Sequence, residues 1–219
     1  IERNPSDPRY KIDYSKKVFV YKNLHKDCWS VKQDGLVKAH TEEVRMRDCA
    51  FQVNAKGRQK VLEEQRKQLI ELLRSEGRLD RPRRALPSIP KHIAIITGVG
   101  SAALADMNRL AENRWPGIRR TIIGVTVQGN LAPNEIVRGI LAAGKLADFD
   151  VAKRLNQPPV DVIIVGRGGG SPEDLWAFNL EPVARAIIAS PVAVVSAVGH
   201  ESDVLVSDLV ADLRASTPS

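Results

Sequence analysis

The sequence predicts an α/β protein: a mostly parallel, doubly wound, Rossmann-like sheet of four β–α units, preceded by a small antiparallel β unit. Two patterns predict it. From Lys91 onward, short β-branched runs alternate with stretches of helical periodicity: HIAIIT then SAALADMNRLAENRW, TIIGVTV then PNEIVRGILAAGKLA, VDVIIVG then SPEDLWAFNLEPVARAIIAS, and PVAVVSAVG then SDVLVSDLVADLRA. Near-continuous apolar strands are those covered on both faces, and the helices between them supply the crossovers a parallel sheet needs. From Val18 to Val53 the pattern changes to VFVY, CWSVKQ, LVKAH and VRMRDCAFQV, with Asp34-Gly35 as a hairpin signal.

Between these regions, residues 58–76 place Val61, Leu62, Leu69, Ile70, Leu72 and Leu73 among strong helix formers, which predicts an amphipathic helix stopped by Gly77. The following RLDRPRRALPSIP carries three prolines and four arginines, so helix cannot continue. Its Arg81, Arg83 and Arg84 either contact DNA or keep a linker solvated. The expected organisation is a β-rich unit of unknown role at 1–57, a helix and basic linker at 58–90, and an α/β domain at 91–219.

A chain of 219 residues, 43% of them hydrophobic, can bury a sizeable core. No apolar run reaches the roughly 18 residues that span a bilayer, and the charged N-terminus lacks a signal-peptide core, so no membrane association and a cytoplasmic location are expected. Cys28 and Cys49 are too few for a disulfide framework. With His25 and His40 they show no C-x₂-C or H-x₃-H spacing, which argues against zinc. The chain starts at Ile1 and stops at Thr217-Pro218-Ser219, and it reads as a fragment. Residues 1–90 hold 21 Lys/Arg against 13 Asp/Glu, while 91–219 hold 12 against 13, so the net +7 is N-terminal in origin. Such an excess suits a polyanionic partner or a solvated basic surface.

In a doubly wound sheet ligands bind outside the carboxyl ends of the strands, which directs attention to Gly98–Ser101, Gln128–Asn130, Gly166–Ser171 and Gly199–Asp203. Gly98-Val99-Gly100-Ser101-Ala102-Ala103 satisfies the dinucleotide pattern G-x-G-x-x-A, but the next strand ends in Gln128 rather than the acid that would hold a ribose. Asp106 falls in the second turn of the following helix, either facing the crevice or favouring the helix N-terminus. Gly166, Gly168, Gly169 and Gly170 expose backbone amides, and Ser171 with Asp174 looks like a capping box with Pro172 at N1. Together they predict an anion nest at a helix N-terminus, with Arg167 beside it as a bidentate phosphate ligand. A tight strand-to-helix turn explains these glycines but not the arginine. His200 follows an apolar strand with Glu201 and Asp203 nearby, a setting for proton transfer or for a satisfied, partly buried histidine.

Taken jointly, VIIVGRGGGSPEDLWAFN at 162–179, ARAIIASPVAVVSAVGHESD at 184–203 and VADLRASTPS at 210–219 resemble the exodeoxyribonuclease VII large subunit. The likeness extends through VTVQG at 125–129 and ITGVGSAALAD at 96–106 back to about residue 63. It implies an enzyme that cleaves single-stranded DNA from both ends to oligonucleotides and then 5′-phosphomononucleotides. It also implies several copies of a small helical subunit, carried on a coiled coil beyond residue 219, and no strict metal requirement, Mg²⁺ being at most stimulatory. The family's functional residues map to Asp106, Arg167, His200 and Asp203. The first loop departs from the usual Ser-Pro-Thr-Gly, the spacer at 145–160 is long, and residues 1–62 lack the family's OB-fold pattern while faintly resembling small phage proteins with a KNLHK-x-CWSV string.

The expected chemistry is phosphodiester hydrolysis. Arg167 and the glycine amides stabilise phosphate charge, His200 moves the proton, Asp203 orients His200, and Asp106 positions water or binds Mg²⁺. The rivals are a catalytically silent DNA- or nucleotide-binding module that keeps the phosphate nest and, more distantly, a dinucleotide oxidoreductase.

Overall fold

The computed structural model describes residues 13, 16–23, 28–41, 61–169, 174–199, 204–215 and 217. The chain divides into two compact units, residues 1–67 and 68–219. The VRMRDCAFQV strand expectation, His25 and Cys49 fall outside the described residues.

The first unit holds an antiparallel sheet in the order β1 (Phe19–Asn23), β2 (Cys28–Gln33), β3 (Leu36–Thr41). Asp34 and Gly35 both take positive φ, 51° and 79°, as a two-residue turn matched to strand twist requires. Val31 is buried on this sheet, and buried Ser30 meets His40 Nδ1 at 2.8 Å.

A helix, α1, covers 61–75. Gly77 ends it at φ 68°, with its own N–H on the Arg74 carbonyl and the Arg78 N–H on the Leu73 carbonyl. Those two bonds satisfy carbonyls that the last turn leaves open.

The second unit is a five-stranded, wholly parallel sheet in the order β5-β4-β6-β7-β8. Its strands are β4 (His92–Thr97), β5 (Arg119–Gly124), β6 (Val162–Arg167), β7 (Ala193–Val198) and the two-residue β8 (Leu213–Arg214). β4 and β7 are buried at every position, the signature of strands covered on both faces. α2 (Ala102–Arg114) covers one face through Ala103, Leu104 and Met107 against Ile93, Ile95 and Val162. The other face packs against α3 (Ala132–Leu146), α5 (Glu181–Ala189), α6 (Val206–Val210) and Leu73, around the fully buried Phe178, Ile136, Ile140 and Ile187. A short α4 (Phe149–Arg154), capped by Asp148, occupies the long spacer. His92 is buried at the start of β4, with Nδ1 on the Pro158 carbonyl and Nε2 on the Thr121 hydroxyl, both at 2.7 Å. No helix among the described residues is long and apolar enough to cross a membrane.

Two helical expectations change. SDVLVSDLVADLRA yields the short α6 and then β8, because Asp212 N–H and Ala215 N–H bond to Val194 and Ser196 carbonyls and draw the chain onto the sheet edge. Of the segment from Ser171, the described part is α-helical only from Glu181. Residues 174–175 form a turn, Trp176–Asn179 a 3₁₀ turn that sinks Ala177 and Phe178 into the core, and α5 begins at Glu181 with proline in its first turn.

Candidate active site

The chain leaves β4 toward β5 on one side and β6 toward β7 on the other, so adjacent strands β4 and β6 form the topological switch point where a crevice opens. A cleft of about 720 Å³ lies there. It is lined by the loop after β4 with the first turn of α2 (98–103), the loop after β5 (124–128), Glu135 of α3, and residues 167–169 after β6.

Arg167 ends β6 and is 9% exposed. Its Nη2 donates to Gln128 Oε1 at 3.0 Å and lies 3.6 Å from Asp174 Oδ2. Its Nη1 is buried without a hydrogen-bond partner, and so is Oγ1 of Thr97 at the end of β4. An unpaired buried polar group costs about 1–3 kcal/mol, so the unpaired Arg167 donor in the cleft suits an oxygen-rich ligand.

Glu135 Oε2 accepts the Thr126 N–H at 2.6 Å. That backbone bond, with a further one from the Thr126 side chain and the nearby Arg138 charge, holds the carboxyl below its usual value. Glu135 therefore staples the β5–α3 loop, and with it Gln128, in place. Sequence reasoning used Gln128 to argue against a ribose acid and did not find either role. A glutamate in the first turn after Pro133 was the available signal for Glu135.

The sequence-selected residues divide into distinct groups. Gly168 and Gly169 line the cleft with Arg167. Gly166 does not; a Cβ there would stand 3.0 Å from Met107 Cε, so its small size lets α2 close on β6. Asp106 lies one turn along α2 from Ala102 and Ala103, half-exposed and bonded to Arg109 at 2.9 Å, and is not among the cleft-lining residues. Gly170, Ser171, His200 and Asp203 lie outside the described residues. The strand that leads to His200 is described: β7 pairs with β6, Val198 lies opposite Arg167, and Gly199 N–H donates to the Arg167 carbonyl at 3.2 Å.

The start of the anion nest expected after Ser171, residues 170–173, lies outside the described residues; the described residues that follow form a turn at 174–175 and the 3₁₀ turn Trp176–Asn179 before α5 begins at Glu181. The helix N-terminus that lines the cleft belongs to α2.

Arg81, Arg83 and Arg84, considered as DNA contacts, are engaged within the fold. Arg81 and Arg84 hold the fully buried Asp212 carboxylate at 3.0 and 2.9 Å, and Arg83 donates to the Leu209 and Ala211 carbonyls. Arg84 also reaches the Ile187 and Ser190 carbonyls at the end of α5. Burial alone would raise Asp212, but amide bonds from Val194 and Arg84 and the charges of Arg84 and Arg81 outweigh it and hold the carboxyl below its usual value.

Comparison with known proteins follows this geometry. Residues 79–219 match the sequence model of the family described as exonuclease VII, large subunit, and residues 11–77 match that of the Mycobacterium phage L5 gene 82 protein. The chain is 50% identical over 152 residues to the exodeoxyribonuclease 7 large subunit of Desulforudis audaxviator, covering 69% of this chain and 35% of that protein. The corresponding protein of Hahella chejuensis is 50% identical over 148 residues, covering 67% and 31%. That of Serratia proteamaculans is 46% identical over 160 residues, covering 73% and 32%. The chain thus spans about a third of the length of these relatives. By its matched region and its parallel α/β sheet, the chain belongs to the exonuclease VII large-subunit family.

Proposed function

We propose that this chain carries the catalytic domain of an exodeoxyribonuclease that hydrolyses phosphodiester bonds of single-stranded DNA, releasing oligonucleotides and 5′-phosphomononucleotides. The observation that carries the reading is Arg167: a buried guanidinium in a strand-end cleft, steadied by the neutral Gln128, with Nη1 left without a partner. A guanidinium so held suits the charge that develops on phosphate oxygens as water attacks. In the proposed reaction the Gly168 and Gly169 amides share that task. His200, which follows the strand paired with β6, is the general acid or base, and Asp203 fixes its orientation. Asp106 acts from the α2 flank on water. No step passes through a metal, Mg²⁺ being stimulatory at most. Relatives of this chain are named large subunits, and a small helical subunit is the proposed partner, bound through a coiled coil.

The test is single-turnover cleavage of end-labelled single-stranded DNA by the chain in its full-length context with the small subunit, with and without excess EDTA. Cleavage that survives EDTA is expected. Loss in EDTA restored by Mg²⁺ refutes the metal-free route, and tight binding without cleavage in either condition refutes the nuclease reading in favour of a binding module.

A further inference from the structure

The amino end of α2, which the sequence offered only through a dinucleotide pattern that Gln128 argued against, is a helix terminus facing the cleft. Ser101 caps it, its hydroxyl accepting the Leu104 N–H at 3.2 Å, while Ala102 and Ala103 line the cleft. The first-turn amides of a helix have no intrahelical carbonyl to bond, and the macrodipole of this 13-residue helix adds positive potential there. The cap occupies one amide. The two preceding helical residues, exposed Ala102 and buried Ala103, carry only methyl side chains and line the cleft.

A second and independent observation points to the same ligand. Arg167 enters the cleft from β6 nine-tenths buried, with Nη1 unpartnered. The carboxylate lining the cleft, Glu135, belongs to α3, so an anion is repelled from the α3 side and favoured on the α2 side.

We infer that the phosphate of a nucleic-acid strand docks between the amino end of α2 and Arg167. Its non-bridging oxygens accept from the Ala102 and Ala103 amides on one side and from the guanidinium on the other. Gln128 is then a positioning residue: it takes up Nη2, which also faces Asp174 Oδ2 at 3.6 Å, and Nη1 is left for the ligand. This assignment rests on the reading of the cleft as a nuclease site, and it moves the helix-terminus part of the phosphate site from the segment after Ser171 to α2.

Ala102 provides the test because it is exposed at the first position of α2. Aspartate there suits a helix N-terminus, so the fold should be kept or strengthened, yet its carboxylate would stand where the phosphate docks. The measurements are equilibrium binding of a short 5′-phosphorylated oligonucleotide, its competition by inorganic phosphate, single-turnover cleavage, and the melting temperature. They are made on the full chain for wild type, Ala102→Asp, Ala102→Asn and Arg167→Ala. Ala102→Asp should weaken oligonucleotide binding by about tenfold or more without lowering the melting temperature, since a like charge within a few ångströms outweighs any dipole gain. Ala102→Asn, similar in shape and neutral, should weaken binding clearly less than Ala102→Asp, because it adds no like charge. Wild-type binding by Ala102→Asp, with binding lost in Arg167→Ala, overturns the α2 site and leaves the nuclease reading standing. Wild-type binding and cleavage by both variants overturn the two together. Equal losses in Ala102→Asp and Ala102→Asn also overturn it, because shape rather than charge would then be responsible.

Discussion

Replacing Asp212 by alanine removes the acceptor on which the 78–90 linker is fastened to the α/β unit. The carboxylate is fully buried and takes four bonds: Arg81 Nη2 and the Arg84 N–H on Oδ1, Arg84 Nε and the Val194 N–H on Oδ2. Removing one partner of a buried ion pair costs about 3–5 kcal/mol, because the charge left behind stays desolvated. Here the orphaned guanidinium side chains keep 15% and 22% of their exposure, so water can reach them and the low end, about 3 kcal/mol, applies. For a unit of this size that is a fall in melting temperature of about 6–12 °C. Asp212→Asn keeps the volume and one acceptor oxygen, and should cost about half as much, since a bond to a charged group is worth roughly 1.5–3 kcal/mol. The pH dependence follows from the same site. A carboxyl held below its usual value in the fold contributes stability that is present above the unfolded pKa of 3.8 and is lost as pH falls through the lower folded value. The wild type should therefore lose stability below about pH 4, and Asp212→Asn should lose less over that range. Urea unfolding followed at 222 nm, at neutral and acid pH, measures both effects. If Asp212→Ala unfolds within about 0.5 kcal/mol of wild type, the four bonds do not fasten the linker and the argument fails.

The remaining expectations concern the cleft and the linker. His200→Ala should slow single-turnover cleavage by about 10²–10⁴ with little change in DNA affinity, whereas Arg167→Ala should damage both and Arg167→Lys restore only part. A folded His200→Ala that cuts at the wild-type rate would remove the histidine from the mechanism. Gly166→Ala should cost up to about 1 kcal/mol by thermal denaturation, since the new Cβ presses on the flexible end of Met107, while Gly168→Ala, with Ala103 Cβ at 3.8 Å, should be near neutral for stability. Equal effects at the two positions would contradict the packing role of Gly166. Arg83→Ala should lower the melting temperature while leaving the salt dependence of DNA binding unchanged, because its donors are taken by Leu209 and Ala211. A flattened salt slope would return it to the DNA surface.

The alternation of β-branched runs with helical periodicity determined the parallel sheet from the sequence alone, because burial on both faces forces apolar runs that few other arrangements need. Asp34-Gly35 and Gly77 were legible for a similar reason: positive φ is a local demand that the residue type itself reveals. Arg167 was legible as a site residue because nothing in a strand-to-helix turn calls for a guanidinium. The sequence misplaced the helix after Ser171 and did not foresee β8, because Ala177 and Phe178 sink into a core contributed by α3, α5 and α6, and Ala215 bonds to a strand nineteen residues earlier. Local pattern carries no record of such distant partners. The linker arginines show the same limit most plainly. In sequence Arg81, Arg83 and Arg84 form a basic run suited to DNA, and tertiary structure half-buries Arg81 and Arg84 on Asp212 and the carbonyls at the ends of α5 and α6, while the exposed Arg83 bonds the Leu209 and Ala211 carbonyls, all more than a hundred residues away. Only the fold decides what a charge meets, because Coulomb and hydrogen-bond energies depend on distance in space, and chain order does not encode that distance.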